Sequence, residues 1–240
     1  MPELLAPAKL TLSLRITGVR TDGYHLIDAE MVTLDLADRL DVDPAGTGLE
    51  IVGAADVGAP DDNLVRRALQ LAGRTAHVRL HKRIPAGAGL GGGSADAAAI
   101  LRWAGFSDLE RAAAIGADVA FCLVGGRARV RGIGEVVEPL PYRDETYTLL
   151  TPAFGCPTPV VYRMWDELGG PAGEAGNDLE PAALAAVPAL AAARDELAVA
   201  TGLRPRLAGS GSTWFVPGAF PGPDRVVVRT TPPFADGAPS

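Results

Sequence analysis

The stretch Pro85-Ala-Gly-Ala-Gly-Leu-Gly-Gly-Gly-Ser94 places five glycines between Gly87 and Gly93 and runs directly into Ala95-Asp-Ala-Ala-Ala99. Glycine loses more backbone freedom on folding than any other residue, so such a run serves a geometry that side chains forbid. Placed before a helix, it is an anion holder. Loop amides and the positive helix end converge on one phosphate group. The holder would be the backbone of Pro85, Ala86, Gly87, Ala88, Gly89, Leu90, Gly91, Gly92, Gly93, Ser94 and Ala95. Ser94 could touch phosphate or metal, or simply cap the helix, and the two roles are compatible.

Two familiar phosphate loops fit less well. Gly87-x-Gly89-x-x-Gly92 matches the dinucleotide fingerprint, but the strand feeding such a loop sits inside a parallel sheet and should be almost continuously apolar. Here that strand reads His-Val-Arg-Leu-His-Lys-Arg-Ile84, with His77, Arg79, His81 and Arg83 along one face, and other strands precede it. The spacing disfavours a nicotinamide-dependent oxidoreductase. A P-loop ends in Gly-Lys-Ser/Thr. Gly93 is followed by Ser94 with no lysine between them.

The elements that must position this loop read as a mixture of strands and helices. Leu10, Leu12, Leu14 and Ile16 alternate with Lys9, Thr11, Ser13 and Arg15, which predicts a strand over 8–16 with one polar face. Arg20-Thr-Asp-Gly-Tyr24 is a turn. Strands are expected over 29–36, 40–42, 49–52 and 77–84. A helix should begin near Asp61-Asp-Asn63 and run through Gly73. After the loop come helices over 94–103 and 107–115, the second capped by Ser107. Strands near 120–124, 127–130 and 136–137 follow. The proline- and charge-bearing segment 140–146 is the expected boundary between a domain over 1–145 and another over 146–240. The second domain should hold a strand over 147–150 and helices over 159–168, 177–187 and 188–201. Pro188 would be a first helical residue and Gly202 a C-cap. Closing strands are expected at 206–207, 213–216 and 225–229, before a loose tail from Pro232 to Ser240.

The 240 residues are 48% hydrophobic and 21% charged, the balance of a globular protein. A net charge of -7 and a pI near 5.0 argue against broad binding to nucleic acid or an anionic membrane. Cys122 and Cys156 form no CxxC or Cys/His cluster, so neither a zinc site nor a disulfide framework is expected. The longest uncharged apolar run, 181–193, is too short to span a bilayer, and Glu3 stands where a leader peptide would be basic. The expectation is a cytoplasmic protein, monomeric or a weak homodimer.

Taken together, the ordered motifs resemble the GHMP kinases, whose glycine–serine loop wraps the phosphates of ATP. The likeness runs from about residue 6 to 216. Besides PAGAGLGGGSADAAA it rests on Ala6-Pro-Ala-Lys-Leu10, on Gly18-Val-Arg-Thr-Asp-Gly-Tyr-His25, and on Gly116-Ala-Asp-Val119 leading into GGRARVRGIGEVVEPL. Late in the chain it rests on Leu207-Ala-Gly-Ser-Gly-Ser212. Asp62-Asn-Leu64, Pro157-Thr-Pro-Val160 and Asn177-Asp-Leu179 fall between in the same order. Asp-Gly-Tyr-His points within that superfamily to the kinases of 4-diphosphocytidyl-2-C-methyl-D-erythritol rather than to those of mevalonate or homoserine. Departures are Thr11 for an asparagine, Ala88 for a glycine, Ala120 for a proline, and a short C-terminal end.

The resemblance implies an α+β fold, with a ribosomal-protein-S5-like N-terminal domain, a ferredoxin-like C-terminal domain and the active site between them. It implies ATP and Mg²⁺ as cofactors, with the metal ligands unassigned, and a small cytidyl diphosphate as substrate. Asp118 would accept or orient the proton of the attacking hydroxyl, and Lys9 would keep Asp118 ionised. Tyr24 and His25 would hold the cytosine, and Thr11 would bear on substrate positioning. Tyr162 falls where an aromatic closes over the base, although its spacing with Trp165 suits helix packing equally. A non-catalytic nucleotide-binding relative is the alternative from another class. Retention of both Lys9 and Asp118 speaks against it.

Overall fold

The computed structural model describes residues 1–53 and 63–234. The chain opens with two long strands, β1 (Glu3–Val19) and β2 (His25–Asp43), paired antiparallel almost from end to end through the turn at Asp22-Gly23. Strand β3 (Gly48–Val52), helix α1 (Leu64–Leu71) and strand β4 (His77–His81) follow, and β3 runs parallel to β4. The glycine loop then leads into α2 (Gly92–Trp103), α3 (Leu109–Ile115) and α4 (Val119–Val124). The hairpin β5 (Arg127–Gly132) and β6 (Val136–Leu140) completes a six-stranded sheet. One edge of β2 carries β1. The other carries β5 on its first half and β4 on its second.

A second sheet is built after the 140–146 segment. Its strands are β7 (Thr146–Leu150), β8 (Arg206–Leu207), β9 (Trp214–Pro217) and β10 (Arg225–Arg229), in the order β10-β7-β9-β8. Helices α5 (Thr158–Glu167), α6 (Glu180–Ala186) and α7 (Leu190–Thr201) lie between β7 and β8 in sequence.

Two apolar clusters hold these layers. The larger packs α1, α2 and α4 onto the first sheet through residues such as Ala97, Ile100, Phe121, Leu40 and Leu80. The smaller joins Ala8, Leu10, Val32 and Leu34 of the first sheet to Leu149, Phe215 and Val228 of the second, with Ile84, Ala88 and Leu90 of the glycine loop among them. The loop is therefore wedged into the junction of the two sheets. Ala88, a departure from the family pattern, is 2% exposed and part of that junction. Among the described residues, no helix is long and apolar enough to cross a membrane.

Several expectations need correcting. Residues 29–36 and 40–42 belong to one continuous strand. Strand β4 stops at His81 rather than Ile84, because Asp38 draws off the amides of Arg83 and Ile84, which no longer pair with a neighbouring strand. The run Val119–Val124 is a helix, not a strand. It is short and almost wholly buried, and periodicity cannot separate the two in that case. Asp108, not Ser107, caps α3, its carboxylate accepting from Arg111 N at 3.0 Å. Pro188 precedes α7 by two residues and does not open it. In the tail, Pro233 pairs with Gly125 and the Phe234 ring lies 3.7 Å from the Arg102 guanidinium carbon, so that part is anchored. Asp61, Asp62 and residues 235–240 lie outside the described residues.

Candidate active site

Strand β1 carries the first functional group. Ala8 and Leu10 point into the junction cluster, while Lys9 and Thr11 point the other way. The first half of the polar face expected there is buried, with Lys9 4% and Thr11 2% exposed, while Arg15 further along is exposed. Register shifts flank both residues, between Pro7 and Lys9 and between Thr11 and Ser13. Such bulges re-aim side chains out of a regular ladder. A buried ammonium must be paired. Lys9 Nζ lies 3.2 Å from Asp118 Oδ2 and donates to Thr11 Oγ1 at 3.1 Å. Thr11, where the family has asparagine, thus still supplies an oxygen to this lysine.

Asp118 stands at the N-cap of α4, a position where a carboxylate would ordinarily accept from its own helix. It does not do so here, and turns toward Lys9 with its side chain 30% exposed. The β5–β6 hairpin fixes this turn. A Cβ at Gly134 would stand 2.3 Å from Ala117 O, so only glycine lets the hairpin tip approach.

The glycine loop completes this end of the cleft. Its carbonyls are fastened outward: Gly87 O accepts from Cys156 N, Ala88 O from Thr213 N and Leu90 O from Lys9 N. Its amides are not so used. From Gly87 to Ser94 they donate to no main-chain or side-chain acceptor among the described residues. Gly91, the N-cap of α2, has φ 67° and offers no side chain to cap the helix. The opening amides of α2 and its dipole are therefore left for an external anion. A Cβ at Gly89 would come within 2.3 Å of Ala208 O, and one at Gly91 within 2.7 Å of Lys9 Cγ.

Beneath the loop is a buried ionic cluster that sequence reasoning missed. Lys82 pairs with Asp38 and, at 2.8 Å, with Asp96 Oδ2 on α2. A Cβ on Gly92 would stand 3.1 Å from Lys82 Nζ. Burial, aided by the Asp38 carboxylate, outweighs the attraction of Lys82 and pushes Asp96 up to about 7. Burial would lower Lys82, but Asp96 and Asp38 hold it above the ordinary lysine range. Nothing in the alternation of β2 or the alanines of α2 signalled that these three charges meet.

The motif residues Asn177 and Asp178 tie the late glycine segment to β1. Asn177 Nδ2 donates to Leu207 O at 2.9 Å and to Gly209 O at 2.7 Å. Asp178 accepts from Arg15 and from the amides of Ile16 and Gly173. Gly209 comes close enough to Lys9 that its Cβ would lie 3.4 Å from Nζ.

The opposite rim is aromatic. His25, the first residue of β2, packs at a 43° tilt against Tyr162 with ring centroids 4.7 Å apart and meets Trp165 in a T-shaped contact at 5.5 Å. Its Nε2 is 2.8 Å from Asp166 Oδ1. Tyr162 thus faces the cleft rather than serving only in helix packing. Burial, with the Asp118 charge as a smaller cause, pushes its phenol above the ordinary range. Tyr24 is 60% exposed, at the lip, with Arg20 over its ring. Trp165, anchored to Pro171 O at 2.9 Å, and Asp166 were not foreseen. Both rims belong to one cleft of about 870 Å³, with Lys9, Asp118, Gly91, His25 and Tyr162 on its walls.

The family described as "GHMP kinases N terminal domain" matches residues 63–126. The 4-diphosphocytidyl-2-C-methyl-D-erythritol kinase of Paracoccus denitrificans is 41% identical over 231 residues, covering 88% of this chain and 84% of its own. The chain belongs to the GHMP kinases. The enzyme of the same name from Cereibacter sphaeroides is 40% identical over 248 residues, covering 90% of this chain and 88% of its own. A crystal structure of 4-(cytidine 5'-diphospho)-2C-methyl-D-erythritol kinase superposes with a TM-score of 0.74 at 34% identity, over 95% of this chain and 99% of that one. A homoserine kinase structure from Listeria monocytogenes, at 18% identity and a TM-score of 0.59 over 98% of this chain and 99% of its own, shares the fold. The two-part α+β architecture is that of GHMP kinases.

GHMP kinases generally use ATP and Mg²⁺. The unused amides from Gly87 to Ser94 and the positions closed to any Cβ form a holder of backbone alone. Among the described residues, no group of three or more His, Cys, Asp or Glu side chains could hold a metal by itself.

Proposed function

We propose that this GHMP kinase transfers the γ-phosphoryl group of ATP to the 2-hydroxyl of 4-diphosphocytidyl-2-C-methyl-D-erythritol. The observation that carries the reading is the single cleft running from the Lys9–Asp118 pair and the amide cradle to the aromatic rim at His25 and Tyr162. Phosphoryl transfer requires in-line alignment, neutralised charge and a place for the hydroxyl proton.

The amides of Gly87 to Ser94 hold the triphosphate, and Ser94 at the third position of α2 adds a hydroxyl at its edge. Mg²⁺ bound with the nucleotide would neutralise developing phosphate charge. Asp118 orients the substrate hydroxyl and takes up its proton. Lys9, 3.2 Å from Asp118 Oδ2, holds the carboxylate in place. Thr11, by accepting from Lys9, fixes the direction of that ammonium. Tyr24 and Tyr162 offer aromatic faces to a pyrimidine, and His25 offers a ring nitrogen to its edge. Such stacking with edge hydrogen bonds is how proteins select a single base.

The test is an ADP-release assay with ATP and Mg²⁺ across candidate alcohols. Turnover of the cytidyl diphosphate alcohol is the expected result. Turnover of mevalonate or homoserine, with none of the cytidyl compound, would overturn the assignment.

A further inference from the structure

We propose that Asp166 is a positioning residue. It holds His25 as the Nε2–H tautomer, leaving Nδ1 as a hydrogen-bond acceptor that selects a 4-aminopyrimidine over a 4-oxopyrimidine. The inference rests on the cytidyl reading above and gives it a chemical cause.

Asp166 Oδ1 stands 2.8 Å from His25 Nε2, and an ionised carboxylate can only accept. The hydrogen of a neutral imidazole must then sit on Nε2, and Nδ1 carries the lone pair. Nδ1 has no partner among the described residues, while the ring itself lines the cleft. The ring cannot readily turn over to exchange its nitrogens. Its side chain is only 10% exposed, with the Tyr162 ring tilted against it at 4.7 Å and Trp165 in a T-shaped contact at 5.5 Å. One helix, α5, supplies Tyr162, Trp165 and Asp166, so ring packing and tautomer are set by the same rigid element.

A lone acceptor at that place distinguishes two otherwise similar bases. Cytosine presents an amino group at carbon 4 and would donate to Nδ1. Uracil presents a carbonyl there, so two acceptors would face each other with no proton between them. Sites built to hydrogen-bond a particular group reject analogues lacking it strongly, because buried polar atoms are left unpaired.

The experiment compares kcat/KM for the cytidyl diphosphate alcohol and its uridyl counterpart in the intact protein, wild type and Asp166→Asn. An asparagine amide can accept from Nε2–H or, flipped, donate to a bare Nε2, so it no longer fixes the tautomer. The wild type should favour the cytidyl compound by about 100-fold or more, and Asp166→Asn should narrow this to about 10-fold or less. The change should lie in KM rather than kcat, and Asp166→Glu should restore part of the preference. In parallel, ¹⁵N chemical shifts of His25 should show protonated Nε2 and bare Nδ1 in the wild type, and a mixture in Asp166→Asn. Asp166 is half-exposed, so folding of these variants is expected and is checked by thermal unfolding. A wild type active on the cytidyl compound whose preference survives Asp166→Asn would overturn the Asp166 role while sparing the proposed substrate. Protonated Nδ1 in the wild type would overturn it too. A wild type inactive on both compounds would overturn the substrate reading and this inference with it.

Discussion

The two rims of the cleft are built in opposite ways. At the phosphate rim, Lys9 is 4% exposed, the loop is fastened by three carbonyls, and Gly89 and Gly91 admit no Cβ. The neighbours of Gly89 there are backbone, and Lys9 is held by Asp118 and Thr11. At the base rim, Tyr24 is 60% exposed and the Asp166 side chain 49%. A few side chains from a turn and a single helix do the holding. The first rim must align a reaction to a fraction of an ångström. The second must recognise a ring and release it. Substitutions at the phosphate rim should therefore cost chemistry, and those at the base rim should cost affinity.

The sharpest way to break that contrast is Asp118→Asn. The variant keeps the side-chain shape but removes charge and proton affinity. We expect kcat to fall by about 10²–10⁴-fold, the range that loss of a general base typically costs, with KM values little changed. Lys9→Met should also reduce kcat, and the double variant should be little worse than the more severe single one, since the pair acts as a unit. If hydroxyl deprotonation is late, Asp118 mainly orients, and the loss should fall at the lower end. Single-turnover rates across pH separate the cases, because a base gives a limb that vanishes in Asp118→Asn. A variant with most of the wild-type kcat would place Asp118 outside the chemistry.

Two glycine substitutions come next. Gly91→Val forces a β-branched residue to φ 67° and into Lys9 Cγ, so it should weaken ATP binding and lower kcat together. Left-handed strain alone is worth about 1–2 kcal/mol. Gly89→Ala meets backbone instead, Ala208 O and Gly211 O, and should show chiefly as a lower unfolding temperature. Calorimetry with a non-hydrolysed ATP analogue and thermal unfolding distinguish the two. Unchanged ATP affinity in folded Gly91→Val would remove the loop from the phosphate site.

At the base rim, Tyr24→Ala should raise KM for the cytidyl compound and leave the KM for ATP nearly intact. Aromatic–base stacking is worth ~1–3 kcal/mol per base, which sets the expected rise between a few-fold and about 100-fold. An unchanged KM would reduce Tyr24 to a turn residue.

The same contrast governs what could be read from sequence. The glycine loop was legible because glycine spacing is itself a statement about backbone. Strand β1 was legible from its alternation, but Lys9 and Thr11 on its polar face were not seen to be buried, since burial there comes from segments far away in sequence. The Lys9–Asp118 pairing spans more than a hundred residues and came only through family resemblance. Asp38, Lys82 and Asp96 stayed hidden for the same reason: each reads alone as a solvated charge, and topology alone joins them. Asp166 sits in a helix whose exposed face would carry acids in any case. Helix α4 was misread because a six-residue buried run has no period to betray it.

The dependence of stability on pH tests whether the phosphate rim is really the buried one. Asp96 lies in its foundation with Lys82 and Asp38, and burial raises it from 3.8 to about 7. A carboxyl with a raised folded-state pKa binds more protons folded than unfolded between those two values. Its contribution to stability is thus fully present below about 4 and is lost as pH rises through about 7. Lys82, held above its ordinary range, titrates well outside this window and keeps its charge throughout. Thermal unfolding measured from pH 4 to 8 should therefore show a downward component that Asp96→Asn removes, flattening the profile. Asp166→Asn, at a half-exposed carboxylate, should move the unfolding temperature by only about 1–2 °C. Should Asp96→Asn keep the wild-type slope, Asp96 would be solvated rather than buried, and the distinction between a buried and an open rim would fail at its base.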